Sequence, residues 1–302
     1  MGISTPAAVG RSPIRWWAVL PALTIHALCL GAIWVGWSWL AVAMALGLYL
    51  GRMFVVTAFY HRYFSHRTFR TSRVGQFVFA ALGVTAAQRG PLWWAAHHRE
   101  HHRHSDEPED LHSPAWYGVL WSHTLWFLSD LGRRTNLKAV PDLARYPELR
   151  FVDRWHMLGP LFLAAAMYGL GVALERWAPA LGTNGPQMLV WGFAISTTAL
   201  YHATFTINSL AHRFGRRRFD TNDDSRNNFA LALLTLGEGW HNNHHYFPGS
   251  ARQGFYWWEI DLTYYGLLGL SWLGVVWDVR RVPGRVYAAA AGHRRSRDRG
   301  AS

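Results

Sequence analysis

Residues 16–35, WWAVLPALTIHALCLGAIWV, contain no Asp, Glu, Lys or Arg, and a second uncharged run, WSWLAVAMALGLYLG, occupies 37–51. The apolar character of the second run continues as far as Tyr60. A helix that crosses a bilayer needs about 20 mostly apolar residues. The stretch therefore predicts two transmembrane helices, 16–35 and 38–60, joined by a tight turn at Gly36.

A second pair of apolar runs predicts a second helical hairpin. The runs cover residues 155–174 and 187–207, and the short link ERWAPALGTNGP between them is rich in Gly and Pro, as tight turns are. A buried bundle in a soluble protein is the alternative, but four long and nearly uncharged runs are difficult to bury without lipid. The predicted fold is an all-α integral membrane protein with four transmembrane helices in two hairpins, forming a single domain over 1–302.

The distribution of basic residues predicts the orientation of these helices. The chain of 302 residues has a net charge of +12, and most of its Lys and Arg lie in 61–154 and 208–302, outside the predicted turns. Because basic residues favour the cytoplasmic side, both termini and both large segments are expected there, as a helical cap (61–154 and 208–280) and a basic tail (281–302). The tail is expected to contact anionic lipid headgroups, and no nucleic-acid partner is expected.

Two shorter apolar segments, 74–87 and 259–278, predict helices that lie in the membrane interface. A fifth span at 262–277 is the alternative for the second segment, but it is short and would place the basic tail on the other side. The single cysteine, Cys29, excludes an internal disulfide and a cysteine-ligated iron–sulfur cluster, and it lies inside the first predicted span.

Nine of the 17 histidines fall into four groups that follow apolar runs or lie in the predicted cap. The groups are HRYFSH (61–66), HREHH (98–102), NSLAH (208–212) and HNNHH (241–245). Positions i, i+3 and i+4 share one face of a helix, so each H-x-x-H-H is expected to direct three imidazoles at one place, and two such segments can hold one site from opposite sides. His61 and His66 are five residues apart, about 140° around an ideal helix, so one of them is expected at or past a helix end.

This many imidazoles predicts metal ligation. Zinc takes about four ligands, whereas two six-coordinate ions with open positions can use nine imidazoles and water. Imidazole suits iron, zinc, copper and nickel. The histidine groups contain or adjoin only two carboxylates, Glu100 and Glu238, which excludes the carboxylate-bridged di-iron bundle.

The remaining histidines are given structural interpretations. His104 and His112, in the acidic loop SDEPEDLH, are expected at the surface, with support of a metal ligand as the alternative. His97 is a further candidate ligand, but it precedes the H-x-x-H-H pattern without being part of it. Four isolated histidines are expected to be ordinary hydrogen-bonded polar residues: His26, His123, His156 and His202.

HRYFSH, HREHH and HNNHH, with the flanking NSLAHRFG and GEGWHNNHHYFP, resemble the histidine boxes of integral-membrane fatty acid desaturases, particularly the stearoyl-CoA-type branch. The resemblance covers roughly residues 35–280. It implies four transmembrane helices, a cytoplasmic cap and two Fe²⁺ ions held by nine histidines, with an asparagine reaching one iron through water. The implied ligands are His61, His66, His98, His101, His102, Asn208 (via water), His212, His241, His244 and His245.

The resemblance also implies the reaction and its partners. With O2 as co-substrate, the two irons would insert a cis double bond near the middle of a saturated long-chain acyl group, at a delta-9-like position. Electrons would come from NAD(P)H through a reductase and a ferredoxin or cytochrome b5-type donor, and the implied location is a bacterial inner membrane. Six tryptophans are candidates for the walls of an acyl tunnel, with anchoring at the interface as the alternative: Trp93, Trp94, Trp116, Trp121, Trp240 and Trp257.

One departure from the family pattern leaves the acyl carrier open between CoA, a membrane lipid and acyl carrier protein. Acyl-CoA members usually carry an Arg-Asp pair where this sequence has Ala96-His97. Four basic residues could meet an anionic headgroup or CoA phosphates, although the membrane orientation explains them equally: Arg89, Arg133, Arg134 and Lys138. The sequence has no H-P-G-G haem-binding motif, so a fused cytochrome domain is not expected.

Two other functions compete with desaturation. Membrane hydroxylases and ketolases share the histidine boxes and the activation of O2, but the Asn208 group and GEGWHNNHH favour a desaturase. A metal transporter would need polar residues near the midplane of the membrane, whereas these histidines cluster at the ends of the predicted spans.

Overall fold

A computed structural model describes residues 12–290, and their secondary structure is almost entirely helical. Arg11 and the part of the predicted basic tail from residue 291 onward lie outside the described residues. Three helical segments are long and apolar enough to cross a membrane: Trp16–Val35, Trp39–Ser65 and Leu158–Trp177.

The first hairpin forms as the apolar runs predict. Helices α1 (Trp16–Cys29) and α2 (Ala32–Val35) lead to Gly36, whose φ of 65° reverses the chain at a residue without a side chain to strain. Ser38 then caps helix α3 (Trp39–Val55), because its hydroxyl accepts a hydrogen bond from the backbone N–H of Ala41 at 3.1 Å.

The chain next forms the first part of the cap. After helix α3 it continues without a break as a π-helix over Val56–Ser65 and then enters strand β1 (Arg70–Thr71). Two longer helices follow, α4 (Arg73–Val84) and α5 (Pro91–His104). Helix α4 thus ends before the predicted boundary at 87. Shorter helices complete this part: α6 (Pro114–Tyr117), α7 (Asp130–Arg133), α8 (Pro141–Ala144) and α9 (Pro147–Arg154), with a π turn at Trp121–Leu125 and 3₁₀ turns at Trp126–Leu128 and Leu137–Ala139.

An acidic cap fixes helix α5, which carries the second histidine box. The carboxylate of Asp153, on α9, accepts hydrogen bonds from the backbone N–H groups of Leu92 and Trp93 at 2.9 and 3.0 Å. These N–H groups have no partner within their own helix, and a negative charge at a helix N-terminus is favourable. Helix α9 therefore holds the start of α5 in place.

The second hairpin begins with helix α10 (Leu158–Trp177), three residues later than predicted because a turn at residues 155–157 follows α9. A 3₁₀ turn (Pro179–Leu181) leads to helix α11 (Gly185–Met188), a π-helix (Leu189–Ile195) and helix α12 (Ser196–Ser209), which run on without interruption.

The predicted span 187–207 is helical, but it is more polar than the three candidate spans. Two of its polar residues serve a buried arginine, because Arg52 donates hydrogen bonds to Ser196 Oγ at 2.6 Å and to Thr197 Oγ1 at 2.8 Å. Pairing inside the bundle explains why this helix is less apolar. Crossing by the fourth helix remains a prediction.

The two hairpin turns lie together at one end of the bundle. The hydroxyls of Ser38 and Thr183 are 2.6 Å apart, and Gln187 Nε2 donates to the carbonyl of Val35 at 2.8 Å. Trp191 Nε1 also donates to the carbonyl of Gly36, at 2.9 Å. The opposite ends of helices α3 and α12, which lead into the histidine groups, therefore also lie together.

The second part of the cap contains helices α13 (Phe229–Leu234), α14 (His241–Tyr246) and α15 (Leu262–Trp272). Strand β2 (Val276–Trp277) pairs antiparallel with β1. Helix α15 has 11 residues, a length of about 16 Å. It is too short for a hydrocarbon core of about 30 Å, which argues against the fifth-span alternative at 262–277.

Candidate metal centre

The structure gathers the nine predicted histidines into two adjacent groups. In each group, one ring nitrogen per residue lies within 4.8 Å of the corresponding nitrogens of the others. The first group is His61, His66, His98, His102 and His244, and the second is His101, His212, His241 and His245. The rings of His102 and His245 are stacked with centroids 4.4 Å apart, so the two groups adjoin.

A π-helix explains how His61 and His66 reach the same group. The N–H of His66 bonds to the carbonyl of His61, five residues earlier, at 3.3 Å. The wider turn of a π-helix brings positions i and i+5 closer in angle than the 140° of an α-helix. His66 is the first residue past the end of this helix, so the prediction that one of the pair lies at or beyond a helix end is confirmed.

Each H-x-x-H-H box divides its histidines between the two groups, so the prediction that each box directs all three imidazoles at one place was wrong. On an ideal helix, positions i and i+4 are about 40° apart, while i+3 lies about 60° to the other side of i. His98 and His102 therefore join the first group and His101 the second. In the last box His241 and His245 join the second group, while His244 joins the first.

Carboxylates bind the outer ring nitrogen, Nδ1, of four of these histidines. Nδ1 of His101 lies 2.9 Å from Asp110. The corresponding pairs are His212 with Asp106 at 2.8 Å, His245 with Asp223 at 2.7 Å, and His61 with Glu238. A proton shared with a carboxylate at Nδ1 leaves Nε2 as the free donor atom, an arrangement found around protein metal sites.

The ring nitrogens of the two groups are arranged to bind metal ions rather than to form hydrogen bonds with one another. Nε2 of His66 lies 2.7 Å from Nε2 of His98, and Nε2 of His212 lies 3.0 Å from Nε2 of His241, so ring nitrogens converge on common points. Nε2 of His245 is buried and has no hydrogen-bond partner, although its Nδ1 is paired with Asp223. A donor set made only of imidazoles suits a divalent ion of the iron-to-zinc series.

Burial keeps most of these imidazoles neutral. Burial, reinforced in most cases by neighbouring histidines, lowers the pKa of seven of them: His66, His98, His101, His102, His241, His244 and His245. His101 has its pKa lowered to about 4 although Asp110 opposes the shift. Neutral imidazoles offer the lone pairs that metal ions bind. His212 differs, because Asp106 outweighs burial and raises its pKa.

Asn208 lies on helix α12, one turn before His212, and borders two cavities. The smaller, of about 50 Å³, is also lined by His61, His98, His101 and His241, so it touches both histidine groups. It has room for a water molecule beside several polar partners. Asn208 is therefore placed where a water-mediated contact to the centre is geometrically reasonable.

The larger cavity has a volume of about 790 Å³, and its lining includes His98 and Asn208. Of the six tryptophans considered as tunnel walls, Trp93 and Trp94 line it. The other four do not: Trp116 and Trp257 are exposed, while Trp121 and Trp240 are buried and donate to the backbone carbonyls of Leu111 and Ile260. Cavities of this size and apolar character commonly hold small molecules.

Among the histidines outside the two groups, His112 departs from expectation, while three others are hydrogen-bonded as expected. His112 is buried rather than at the surface, and its Nδ1 lies 2.8 Å from the carboxylate of Asp110 that also binds His101. His26, His202 and His123 are not isolated, because successive ring nitrogens lie 3.1 Å apart. The last of these rings contacts the hydroxyl of Ser209 at 2.9 Å.

Three further histidines also lie outside both groups. His104 is partly exposed and pairs with Glu107. His97 belongs to neither group, and its Nε2 lies 2.9 Å from the carbonyl of Arg134. His156 lines the larger cavity.

Sequence reasoning missed the supporting carboxylates. Asp106 and Asp110 lie in the acidic loop that follows the second histidine box, and Asp223 lies in TNDDS between the last two boxes. An acidic loop next to a histidine box is the signal that could have suggested them, because metal-binding histidines usually donate to a carboxylate or carbonyl.

Comparison with known proteins agrees with this centre. The family model for fatty acid desaturases matches residues 37–271. Acyl-CoA 5-desaturase AL21 of Anemone leveillei is 38% identical over 270 residues, which cover 87% of this chain and 78% of the relative. The sn-2 palmitoyl-lipid 9-desaturase of Nostoc sp. (strain 36) is 34% identical over 280 residues, covering 91% of this chain and 93% of the relative.

A third relative is the sn-1 stearoyl-lipid 9-desaturase of Anabaena variabilis, 34% identical over 286 residues, which cover 91% of this chain and 97% of the relative. The family model covers the chain from helix α3 almost to the end of helix α15, including all four histidine groups. The chain belongs to the fatty acid desaturase family of oxidoreductases.

Proposed function

We propose that this protein is an O2-dependent membrane desaturase that inserts a cis double bond near the middle of a saturated long-chain acyl group. The observation that carries the proposal is the convergence of nine imidazoles in two adjoining groups beside a large apolar cavity, whose lining includes His98 and Asn208. Two of the relatives compared here are named 9-desaturases, which supports a delta-9-like position.

In this proposal the nine histidines hold two Fe²⁺ ions, one in each group, and Asn208 contacts one of them through water. The unpartnered Nε2 of His245 and the carboxylates at the outer nitrogens support a metal-binding role. Iron bound there would supply the activation of O2 and the removal of hydrogen from an unactivated methylene, chemistry that side chains alone do not perform.

The rest of the chain positions the substrate. Trp93 and Trp94, with Phe193, Tyr201 and Phe205, form an apolar wall that would hold an acyl chain against His98 and Asn208 and exclude bulk water. A C–H bond of a saturated chain has no polar group that a side chain could bind. Accurate placement of the acyl chain is therefore the main contribution that the protein can make. Which methylene pair lies nearest the histidines then sets the position of the double bond.

The proposed topology has four spans, with the histidine centre and both termini on the cytoplasmic side of a bacterial inner membrane. The joined turns at the far end of the bundle support this arrangement. Electrons would come from NAD(P)H through a reductase and a ferredoxin or cytochrome b5-type donor that docks on the cytoplasmic cap.

The fatty acid profile of a bacterial host that expresses the chain together with a ferredoxin and its reductase tests the proposal. We expect new cis-monounsaturated chains whose double bond, located by mass spectrometry, lies mid-chain. His98→Ala should abolish them, because His98 lies in the first histidine group. His104→Ala is the matched control, since His104 follows the same box and lies outside both of the groups defined above.

Hydroxylated or keto products in place of alkenes would contradict desaturation and would indicate oxygen transfer at the same centre. An unchanged profile, with the electron donor shown to be active on a known desaturase, would contradict the proposed function altogether.

A further inference from the structure

The larger cavity opens sideways between two helices that are candidate membrane spans. Its lining includes Trp17 and Leu20 on helix α1, and Met157 and Leu161 at the start of helix α10. All four side chains are also exposed on the outside of the molecule, Leu20 and Leu161 by 62% and 61%. We call this opening the α1–α10 slot and define it by these four residues.

The slot lies between two candidate membrane spans rather than within the cap. Helix α1 packs mainly on the π-helix Leu189–Ile195, on α12 and on the turn Trp126–Leu128, which leaves its side toward α10 open. Both α1 and α10 start at the end of the bundle opposite the joined turns, so the slot lies at the histidine end of the apolar zone. A gap between two spans at this depth is filled by lipid tails in a membrane.

Positive charge lies at the edge of this cavity. Arg89 and Arg133 both line it, and Arg89 donates a hydrogen bond to the carbonyl of Arg133 at 2.8 Å. Within residues 12–290 neither guanidinium forms an ion pair with a carboxylate. The guanidinium of Arg133 lies 4.1 Å from the ring centre of Trp17, a residue type that favours the interface. We call Arg89 and Arg133 the basic mouth.

A further titratable residue, His156, lies close to the positive charges of the basic mouth. It lines the same cavity, and burial together with the positive charges of Arg89 and Arg133 lowers its pKa to about 4. These two cations attract Asp153 and Asp130 without forming an ion pair with either. They lie beside a neutral imidazole and next to an interfacial tryptophan, and they complement an anionic group such as a phosphate.

We propose that the substrate is an acyl chain of an intact membrane phospholipid, which enters sideways through the α1–α10 slot while its phosphate binds the basic mouth. This deepens the proposed function and rests on it, because it names the carrier of the acyl chain. The cavity runs along α1 from Trp17 to Leu28, about 16 Å, and also reaches His98 and Asn208. A lipid tail could thus reach the histidine centre without leaving the membrane.

A photocrosslinking experiment tests this route without requiring turnover. The full chain is reconstituted in vesicles of phosphatidylethanolamine and phosphatidylglycerol that contain a phosphatidylglycerol with a diazirine in the middle of one acyl chain. After irradiation, peptide mass spectrometry locates the adducts. We expect adducts at cavity residues such as Thr204 and Phe205, and no loss of them when excess palmitoyl-CoA is added.

Two variants separate entry through the slot from general contact with lipid. Leu20→Trp combined with Leu161→Trp narrows the slot and should lower the yield of cavity adducts severalfold. Phe162→Trp is the matched control, because Phe162 is 73% exposed on the same helix and does not line the cavity. Arg133→Gln should weaken adducts from phosphatidylglycerol more than adducts from a diacylglycerol probe that has no phosphate.

Adducts confined to the outer surface of the helices would overturn the proposal. A second result would also overturn it: palmitoyl-CoA lowers the yield of cavity adducts, and the variant with the narrowed slot gives the same yield as the parent. That result would indicate that the basic mouth binds CoA phosphates. Cavity adducts in a protein that forms no double bonds would support the route and contradict the proposed reaction, so the two failures are distinguishable.

Discussion

Carboxylates bind Nδ1 of four of the histidines and so fix the direction in which Nε2 of each ring points. The spacing of the histidines indicates that they could meet, and all nine do so. The partners were not predictable, because Asp106 and Asp110 come from a loop whose folded path no periodicity records. His112 was misplaced for the same reason: it shares Asp110 with His101, a contact that depends on the turn at residues 105–113.

Asp110→Asn tests the role of these carboxylates. The amide oxygen is a weaker acceptor than the carboxylate for the hydrogen bond from His101 Nδ1. The imidazole of His101 should therefore be held less firmly and be less basic. We expect iron affinity to fall about 10- to 100-fold, measured by competition with a chelator. Glu107→Gln is the control, because Glu107 lies in the same loop and pairs with the partly exposed His104. An equal loss of iron affinity in both variants would contradict a specific role of Asp110 in supporting His101.

The lowered pKa values of seven buried histidines predict how the iron-free protein responds to acid. Each folded pKa lies below the ordinary value of 6.5, so the associated stability is fully present above pH 6.5 and is lost as pH falls toward the folded value. Unfolding then takes up protons, at about 1.4 kcal/mol per pH unit for each imidazole. The melting temperature of chelator-treated protein should therefore fall steeply below neutral pH.

His98→Gln should make that dependence shallower, because one buried imidazole fewer takes up a proton on unfolding. A melting temperature that is flat between neutral pH and about pH 5 would show that these histidines are not held neutral by burial.

Elements were predicted well where apolar runs are long, and less well where local geometry departs from the α-helix. The four predicted spans are helical, with ends displaced by a few residues. The π-helix at Val56–Ser65 could not be read from composition, yet it brings His61 and His66 together. Helix α15 is shorter than its apolar run suggests, because Asp261 caps its start and Gly274, with a φ of 70°, lies just beyond its end.

Helix α4 should be sensitive to a single methyl group at its contact with this π-helix. A Cβ added at Gly83 would lie 1.9 Å from the ring of Tyr60, the residue before His61, and that ring is fully buried. Gly83→Ala should therefore destabilise the protein by about 1–3 kcal/mol and lower its iron content. Thermal unfolding in detergent, with metal analysis, measures both effects.

Gly47→Ala is the matched control, because no neighbouring atom lies within 4 Å of the added Cβ in helix α3. It should leave stability unchanged or raise it by about 0.5–1 kcal/mol, since alanine is the better helix former. A larger loss at Gly47 than at Gly83 would refute the packing argument.

Across the whole molecule, the sequence predicts an apolar helical bundle and a separate polar cap that is rich in histidine. The structure contains both parts. The turns at Gly36 and Thr183 meet at one end, while the histidine groups collect at the other. The positions of α1 and α10, and the slot between them, follow from packing among distant segments. No local pattern in the sequence could have predicted that opening.

The single cysteine makes the topology directly measurable. In a Cys29→Ser background, Lys138→Cys places an exposed thiol in the cap and Ala180→Cys places one at the joined turns. With a membrane-impermeant maleimide, Lys138→Cys should react from the cytoplasmic side only and Ala180→Cys from the opposite side only. The Cys29→Ser parent should not react, and labelling of both thiols from one side would contradict four spans.

Metal analysis of the purified protein tests whether the nine histidines hold two iron ions. The protein should be expressed in iron-supplemented medium, purified in detergent and measured for iron and zinc against chain concentration, beside His98→Ala and His104→Ala. We expect two irons per chain in the parent and in His104→Ala, with iron lost in His98→Ala. Zinc in place of iron, or iron that His98→Ala leaves unchanged, would contradict that expectation.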